Sequence, residues 1–129
     1  MSYTAIVFDD TVSSELESIH YGWTDKHTDG WDEKFHHLTI CMGTNSKGKF
    51  PFVLGEEVVI KVVAFGYSDF ATAFKCELPD GKVIANKTPH ITCKVNREVG
   101  GKPKHSNDIV EWQDLEVPFE IKGIVGVCE

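Results

Sequence analysis

Short runs of β-branched and aromatic residues, each followed by a turn signal, recur along most of this 129-residue chain. Such runs are typical of β-strands, and the turn residues between them favour antiparallel hairpins over repeating strand–helix–strand units. Turn signals include Gly and Asn at 43–48 and the sequence Pro79-Asp80-Gly81-Lys82. Strands are predicted at 3–8, 35–42, 57–65, 70–78, 90–96 and 119–127.

One helix is predicted early in the chain. Val12, Leu16 and Ile19 have the spacing of one apolar helix face, so a short helix is expected over 13–19. The polar, aromatic residues 20–34 that follow are predicted to form a loop, and Gly66 to Asp69 a turn. No linker divides the chain. Residues 1–129 are therefore predicted to form one α+β domain, built mainly from antiparallel sheet with few helices.

Composition excludes some classes of partner. The formal net charge is −7, and an acidic surface argues against duplex DNA, whose binding relies on many Lys and Arg contacts to phosphate. A small phosphorylated ligand in a locally basic pocket remains compatible with this charge. No apolar run approaches the roughly 20 residues that span a bilayer, so no membrane partner is expected. The oligomeric state is not predicted.

The four cysteines are interpreted as free thiols. Cys41, Cys76, Cys93 and Cys128 form no Cys-x-x-Cys pair, which argues against a zinc knuckle or a thioredoxin-type motif. The N-terminus lacks the basic start of a signal peptide, so a reducing cytoplasmic location is expected.

Two similar segments stand out. His37-Leu38-Thr39 and His90-Ile91-Thr92 share the pattern His-x-Thr, and both fall in predicted strands. Residues i and i+2 of a strand project from one face, so each His and Thr should point together while Leu38 and Ile91 enter the core. If the two strands are neighbours, two imidazoles and two hydroxyls converge on one cleft.

This set of groups suits the cleavage of a phosphodiester. Because the unperturbed pKa of histidine is about 6.5, one imidazole can remove a proton while the other donates one near neutral pH. Threonine hydroxyls can donate to the non-bridging phosphate oxygens. The arrangement requires no metal and no other cofactor. His37 and His90 are predicted as general base and acid in an order left open, with Thr39 and Thr92 on the phosphate.

With these two motifs the sequence resembles the two-histidine (2H), LigT-like phosphoesterase superfamily. The stretch 86–92 is similar to the second motif of RNA-repair branches, including the cyclic phosphodiesterase domains of tRNA ligases. The resemblance implies a two-lobed α+β fold with a central cleft. It also implies hydrolysis of 2′,3′-cyclic phosphates, 2′,5′-linked or cyclic oligonucleotides, and some viral relatives destroy nucleotide immune signals in this way. The segment between the motifs is short for the family, with no helix expected in it, which implies a trimmed second lobe.

Substrate contacts are predicted around these motifs, with a small nucleotide or an RNA 3′-end as the partner. Lys94 is two residues beyond Thr92, and Lys104 lies in the basic segment that follows, so both are candidates for phosphate. Tyr67 and Trp23 are candidates for stacking on a base. The alternative interpretation is a solvated loop for the lysines and packing at the core edge for the aromatic residues.

Other histidines receive structural interpretations. His36 should face the opposite side of its strand from His37, and His20, His27 and His105 are predicted in loops. A zinc site from Asp32, His36 and His37 lacks the usual ligand spacing. Two further classes stay open beside the enzyme: a module that binds a nucleotide or RNA end without turnover, and a structural protein whose motifs are accidental.

Overall fold

Seven strands and one α-helix make up the fold of the computed structural model, which describes residues 2–23, 28–45 and 48–129. The helix, α1, spans Asp10–Trp23. The strands lie in one antiparallel sheet of order β2-β6-β5-β4-β7-β1-β3. They are β1 (Tyr3–Val7), β2 (Asp32–Glu33), β3 (His37–Met42), β4 (Glu57–Tyr67), β5 (Ala71–Glu77), β6 (His90–Val95) and β7 (Trp112–Cys128). The predicted α+β class with a mainly antiparallel sheet is confirmed.

Alternation of apolar and polar residues places the core. In β4, Val58, Ile60 and Val62 are buried, whereas Val59 and Lys61 between them are exposed, as expected of a strand with one face on the core. The same alternation buries Leu38 and Ile40 of β3 and Ile91 and Cys93 of β6. All four cysteines are free thiols, and three of them are buried. The helix adds Leu16 to this core.

Helix α1 is longer than predicted. It begins after Asp9, whose side-chain Oδ1 accepts a hydrogen bond of 2.9 Å from the backbone N–H of Val12. It continues beyond residue 19, so the prediction of a loop from residue 20 is wrong. The reason is His20, which is 1% exposed, lies 2.8 Å from the Thr72 hydroxyl and packs edge-on against three phenylalanine rings, Phe35, Phe65 and Phe74. Tertiary contacts therefore extend the helix past its apolar stripe.

Strand β7 also exceeds its prediction. It begins at Trp112 rather than residue 119, and its polar first half pairs with β4 beyond a register shift between Val62 and Ala64. Pro118, which cannot donate a ladder hydrogen bond, lies within that shift. Strand β4 likewise continues to Tyr67, over the first two residues of the predicted turn. A Cβ at Gly66 would lie 2.5 Å from the Trp112 ring, so this pairing needs glycine there.

The two ends of the sheet meet beside the motif strands. Strand β2 pairs with β6, and the backbone N–H groups of Lys34 and Phe35 extend that pairing to the carbonyls of Cys93 and Thr92. At Phe35, which is buried and has φ of 59°, the chain turns away from β6 and continues as β3 beside β1. The strands that carry the two motifs therefore start side by side and then separate, which leaves an opening between them.

The segment between the motifs contains no α-helix among its described residues. A turn at Pro79–Gly81 closes with a 3.0 Å bond from the Lys82 N–H to the Pro79 carbonyl, as the sequence predicts. The Ala85 N–H then bonds to the Ile40 carbonyl, which attaches this segment to the edge of β3. Within the described ranges, no helix has the length and apolar character needed to cross a membrane.

Candidate active site

Both His-x-Thr motifs line one cleft of about 520 Å³, which we call the motif cleft. His37 and Thr39 reach it from β3, and His90 and Thr92 reach it from β6. All four side chains are half-buried, while the residues between them are fully buried. The period of the strands thus puts the motif side chains together, as the sequence predicts. The convergence itself comes from the meeting of the two ends of the sheet.

The pairing partners of the two motifs are alike. Thr39 pairs with Ala5 of β1, and Thr92 pairs with Ala73 of β5. Both alanines are fully buried. A small residue opposite each threonine leaves space beside its hydroxyl, since directly paired Cβ atoms of a sheet lie only about 5 Å apart. The two halves of the site are therefore built in the same way.

His36 lies beside His37, contrary to the prediction that the two face opposite sides. Their rings stack with centroids 4.6 Å apart and an interplanar angle of 24°, and their Nδ1 atoms share a hydrogen bond. The alternation of a strand does not apply, because residue 36 precedes β3 and follows the positive φ of Phe35. Both rings line the motif cleft.

His37 is surrounded by groups that disfavour its charged form. Burial, then the neighbouring His36, His90 and Lys34, lower the pKa of His37 to about 4. Tyr3 packs its ring 5.1 Å from the His37 ring and also lines the cleft. In the unliganded protein His37 is therefore neutral near pH 7, so one of its two ring nitrogens carries no hydrogen.

His90 has a partner that supports its charged form. Its Nδ1 lies 2.8 Å from the Thr88 carbonyl, and because a carbonyl only accepts, Nδ1 carries the hydrogen. Neutral His90 therefore keeps its lone pair on Nε2. Burial lowers the pKa of His90, and the bond to Thr88 opposes this shift.

Thr92 is held from outside its strand. Its hydroxyl lies 2.9 Å from the hydroxyl of Ser106, which is 1% exposed. Ser106 belongs to a 3-10 turn at Pro103–Asp108 that packs on β5 and β6. This contact fixes both the Thr92 side chain and the position of the turn.

The motif cleft is basic within an acidic protein. Lys34 and Lys104 line it, and none of its lining residues in the described part of the chain is acidic. Lys34 lies 3.2 Å from Asp32, whose carboxylate also binds Arg97 at 3.1 Å. The cleft thus presents ammonium groups, imidazoles and hydroxyls, which are the groups that bind an anion.

Only some of the residues predicted to contact the substrate lie at the motif cleft. Lys104 lines it, but Lys94 does not. Strand β6 shifts register against β5 between Thr72 and Ala73, and Lys94 pairs with Thr72. Its charge lies near His20 of the helix, where it reinforces the lowering of that pKa by burial. Lys94 keeps the half-buried position that Thr92 has in the alternation of β6, but its charge lies beside α1 and it does not line the cleft, so its predicted contact with phosphate gains no support from this placement.

Neither of the two residues predicted to stack on a base is seen in the motif cleft. Tyr67 is 49% exposed at the end of β4, stacks on Phe65 and is not part of the cleft lining. Trp23 is the last residue of α1, and its side chain lies outside the described part of the structure, as does the predicted loop residue His27.

Several residues of the motif cleft were not predicted as site residues from the sequence. These are Tyr3, Lys34, His36 and Asn86. No local pattern marks them, since each reaches the cleft through pairing or packing with a distant segment. The hydroxyl contact between Thr92 and Ser106 likewise joins residues from different elements.

The zinc alternative gains no support. Among the residues that the structure describes, no three His, Cys, Asp or Glu side chains lie together as a metal site needs. Asp32, the carboxylate of that alternative, is bound by Lys34 and Arg97 instead.

Comparison with known proteins adds no family. No protein-family model, no curated protein and no solved structure matches the chain.

Proposed function

We propose that the protein is a metal-independent phosphodiesterase of the two-histidine kind that hydrolyses a nucleotide phosphodiester. The observation that carries this proposal is the convergence of His37, Thr39, His90 and Thr92 in one basic cleft without a lining carboxylate among the described residues. Candidate substrates are 2′,3′-cyclic phosphates, 2′,5′-linked oligonucleotides and cyclic oligonucleotides.

The fold proposed with this activity is LigT-like, with two related halves around the cleft. The matching Thr–Ala pairs support it: Thr39 with Ala5, and Thr92 with Ala73. Each motif strand is also antiparallel to its partner, β3 to β1 and β6 to β5. In the described part of the segment between the motifs there is a 3-10 turn but no α-helix, which fits a trimmed second half.

We assign the general base to His37 and the general acid to His90. Two cationic or protonatable neighbours, Lys34 and His36, disfavour a proton on His37, whereas the Thr88 carbonyl supports one on His90. His37 takes a proton from water as the water oxygen bonds to phosphorus. The bond from phosphorus to the leaving oxygen breaks, and His90 gives that oxygen a proton. Solvent then restores both histidines.

The two threonines and Lys34 stabilise charge on the scissile phosphate. Thr39 and Thr92 donate to non-bridging oxygens, and the Ser106 hydroxyl holds Thr92 in place for this contact. The ammonium group of Lys34 adds positive charge, and its contact with Asp32 orients it without removing it from the cleft.

Hydrolysis of a substrate panel in EDTA tests the proposal. The panel contains 2′,3′-cyclic nucleotides, 2′,5′-oligoadenylates and cyclic dinucleotides. We expect turnover of at least one substrate, and a loss of about 10²-fold or more in kcat for His37→Ala and for His90→Ala, as is typical for acid–base groups. Circular dichroism checks that both variants are folded.

Two results would contradict the enzyme. The first is turnover that both alanine variants retain, which would place the chemistry elsewhere. The second is the absence of turnover together with nucleotide binding that depends on His37 and His90. That outcome favours the alternative, a module that binds a nucleotide or RNA end.

A further inference from the structure

The orientation of two asparagine amides in the motif cleft follows from one backbone donor. The Thr88 N–H bonds to Asn86 at 3.2 Å, and because an N–H only donates, the atom that receives it is Oδ1. The Asn86 Nδ2 group therefore faces Asn107 and donates to it. The receiving atom of Asn107 is then its Oδ1.

This chain of bonds leaves the Asn107 NH₂ group with its donors unused by the described contacts. Asn107 and Asn86 both line the motif cleft. The surrounding hydrogen bonds determine which way an amide points, and here the Thr88 backbone N–H determines the orientation of both amides. The asparagine pair therefore offers N–H donors to the cleft, while each of its two carbonyl oxygens already accepts one hydrogen bond.

Lys104 adds a positive charge to these donors. It belongs to the same 3-10 turn as Asn107, Pro103–Asp108, and also lines the cleft. Among the described residues, none of the ion pairs of the protein engages Lys104. The bond between Ser106 and Thr92 holds this turn against β6, so the ammonium and amide groups are presented on a fixed support.

A site whose unused groups are mainly N–H donors favours a ligand that only accepts. Phosphate is such a ligand, and charge-assisted bonds to it are the strong ones. His37, His90 and the two threonines already supply the donors for the scissile phosphate. The cleft of about 520 Å³ is within the range of ~300–1,000 Å³ for sites that hold whole small molecules, so it has space for more than one phosphate group.

We propose that Lys104, Asn107 and Asn86 form a second phosphate site beside the two-histidine site. This inference rests on the proposed function only in placing the scissile phosphate at the histidines. It narrows the substrate class to nucleotides that carry a phosphate in addition to the one that is cleaved. A nucleoside 2′,3′-cyclic phosphate without another phosphate would leave the second site empty.

A pair of ligands that differ by one phosphate tests the second site by binding alone. Adenosine 2′-phosphate and adenosine 2′,5′-bisphosphate contain no diester, so a phosphodiesterase turns over neither. Isothermal titration calorimetry at constant ionic strength is expected to show that wild type binds the bisphosphate about ten-fold or more tightly than the monophosphate.

Variants show which residues produce the preference for the bisphosphate over the monophosphate. Lys104→Ala should remove most of it, and Asn107→Asp, which replaces the donor by an acceptor of the same shape, should abolish it. Neither should change the affinity for the monophosphate by more than about two-fold. Lys102→Ala is the matched control: this exposed lysine precedes the same turn but does not line the cleft, so the preference should persist.

The outcomes separate the two proposals. Equal affinity of wild type for both ligands, no binding of the bisphosphate, or a preference that survives Lys104→Ala and Asn107→Asp would overturn the second site. A preference for the bisphosphate with no hydrolysis of any diester would support the second site and overturn the proposed enzymatic function.

Discussion

Individual side chains in the motif cleft are tuned by burial and by one another. His36, His37 and His90 all have a lowered pKa, with burial as the first cause. An anion in the cleft would reverse this effect, because a negative charge nearby favours the imidazolium form. Binding of an anionic ligand is therefore expected to raise the pKa of these three histidines.

The pH dependence of hydrolysis follows from these shifts. A general base works deprotonated, so activity rises as pH increases through its pKa, and a general acid works protonated, so activity falls through its own. Both pKa values lie below about 6.5 in the free protein, so the optimum of kcat/KM is expected on the acid side of pH 6.5.

Bound substrate should shift that profile. Its phosphate charge raises both pKa values, so the optimum of kcat is expected at a higher pH than the optimum of kcat/KM. Steady-state kinetics from about pH 4 to about pH 9 measure both profiles. An optimum of kcat/KM on the alkaline side of neutrality would contradict the assignment of these histidines.

At the scale of elements, the helix and the strands are joined by a buried polar contact. His20 of α1 meets Thr72 of β5 in the core, and burial lowers the pKa of His20 to about 4. The last turns of the helix therefore depend on a neutral imidazole. The sequence predicts the helix by its apolar stripe, but His20 does not belong to that stripe, so its role depends on the sheet beneath it.

Acid should weaken the packing of α1 through His20. The unfolded chain has a histidine pKa of about 6.5, so below that pH the unfolded state binds more protons than the folded state. The stabilising contribution of neutral His20 is fully present above pH 6.5 and is lost as pH falls towards the folded pKa of about 4.

Urea unfolding of wild type and His20→Gln measures this contribution. Glutamine keeps a polar atom near the position of Nε2 but does not titrate. Between about pH 7.5 and about pH 5 wild type should lose more free energy of unfolding than the variant. His37 and His90 titrate in both proteins, so they cancel in the comparison. Equal losses would show that His20 does not carry the effect.

For the whole molecule, the decisive feature is the meeting of the two ends of the sheet. Strand β2 and residues 34–35 pair with β6, and β3 pairs with β1. This arrangement determines which side chains surround the ligand. It brings Lys34 into the cleft and leaves Tyr67 outside it, although neither position is visible from local sequence.

Substitutions of Lys34, Lys94 and Tyr67 test whether a residue affects catalysis because of its place in the fold or because of its place in the sequence. Lys34→Ala removes a cation from the cleft and is expected to lower kcat/KM about ten-fold, as is typical for the loss of a charged hydrogen bond. Lys94→Ala and Tyr67→Ala should leave kcat/KM within about two-fold of wild type. A large loss in either control variant, with Lys34→Ala unaffected, would mean that the substrate binds elsewhere.

The local sequence pattern is sufficient to predict most of the strands and one of the turns. The alternation of apolar and polar residues predicts most strands and the outward direction of His37, Thr39, His90 and Thr92, because a strand has a period of two regardless of its neighbours. The Pro79-Asp80-Gly81-Lys82 turn is equally local, since its residues favour the required backbone angles by themselves.

Only the tertiary structure decides how these pieces meet. The positive φ of Phe35 turns the chain from β6 to β1, and the buried His20 extends α1. Each of these depends on residues far apart in the chain, whose contacts outweigh local preference. The outward direction of the motif side chains can be predicted from the sequence, whereas the cleft that joins them arises where the two ends of the sheet meet.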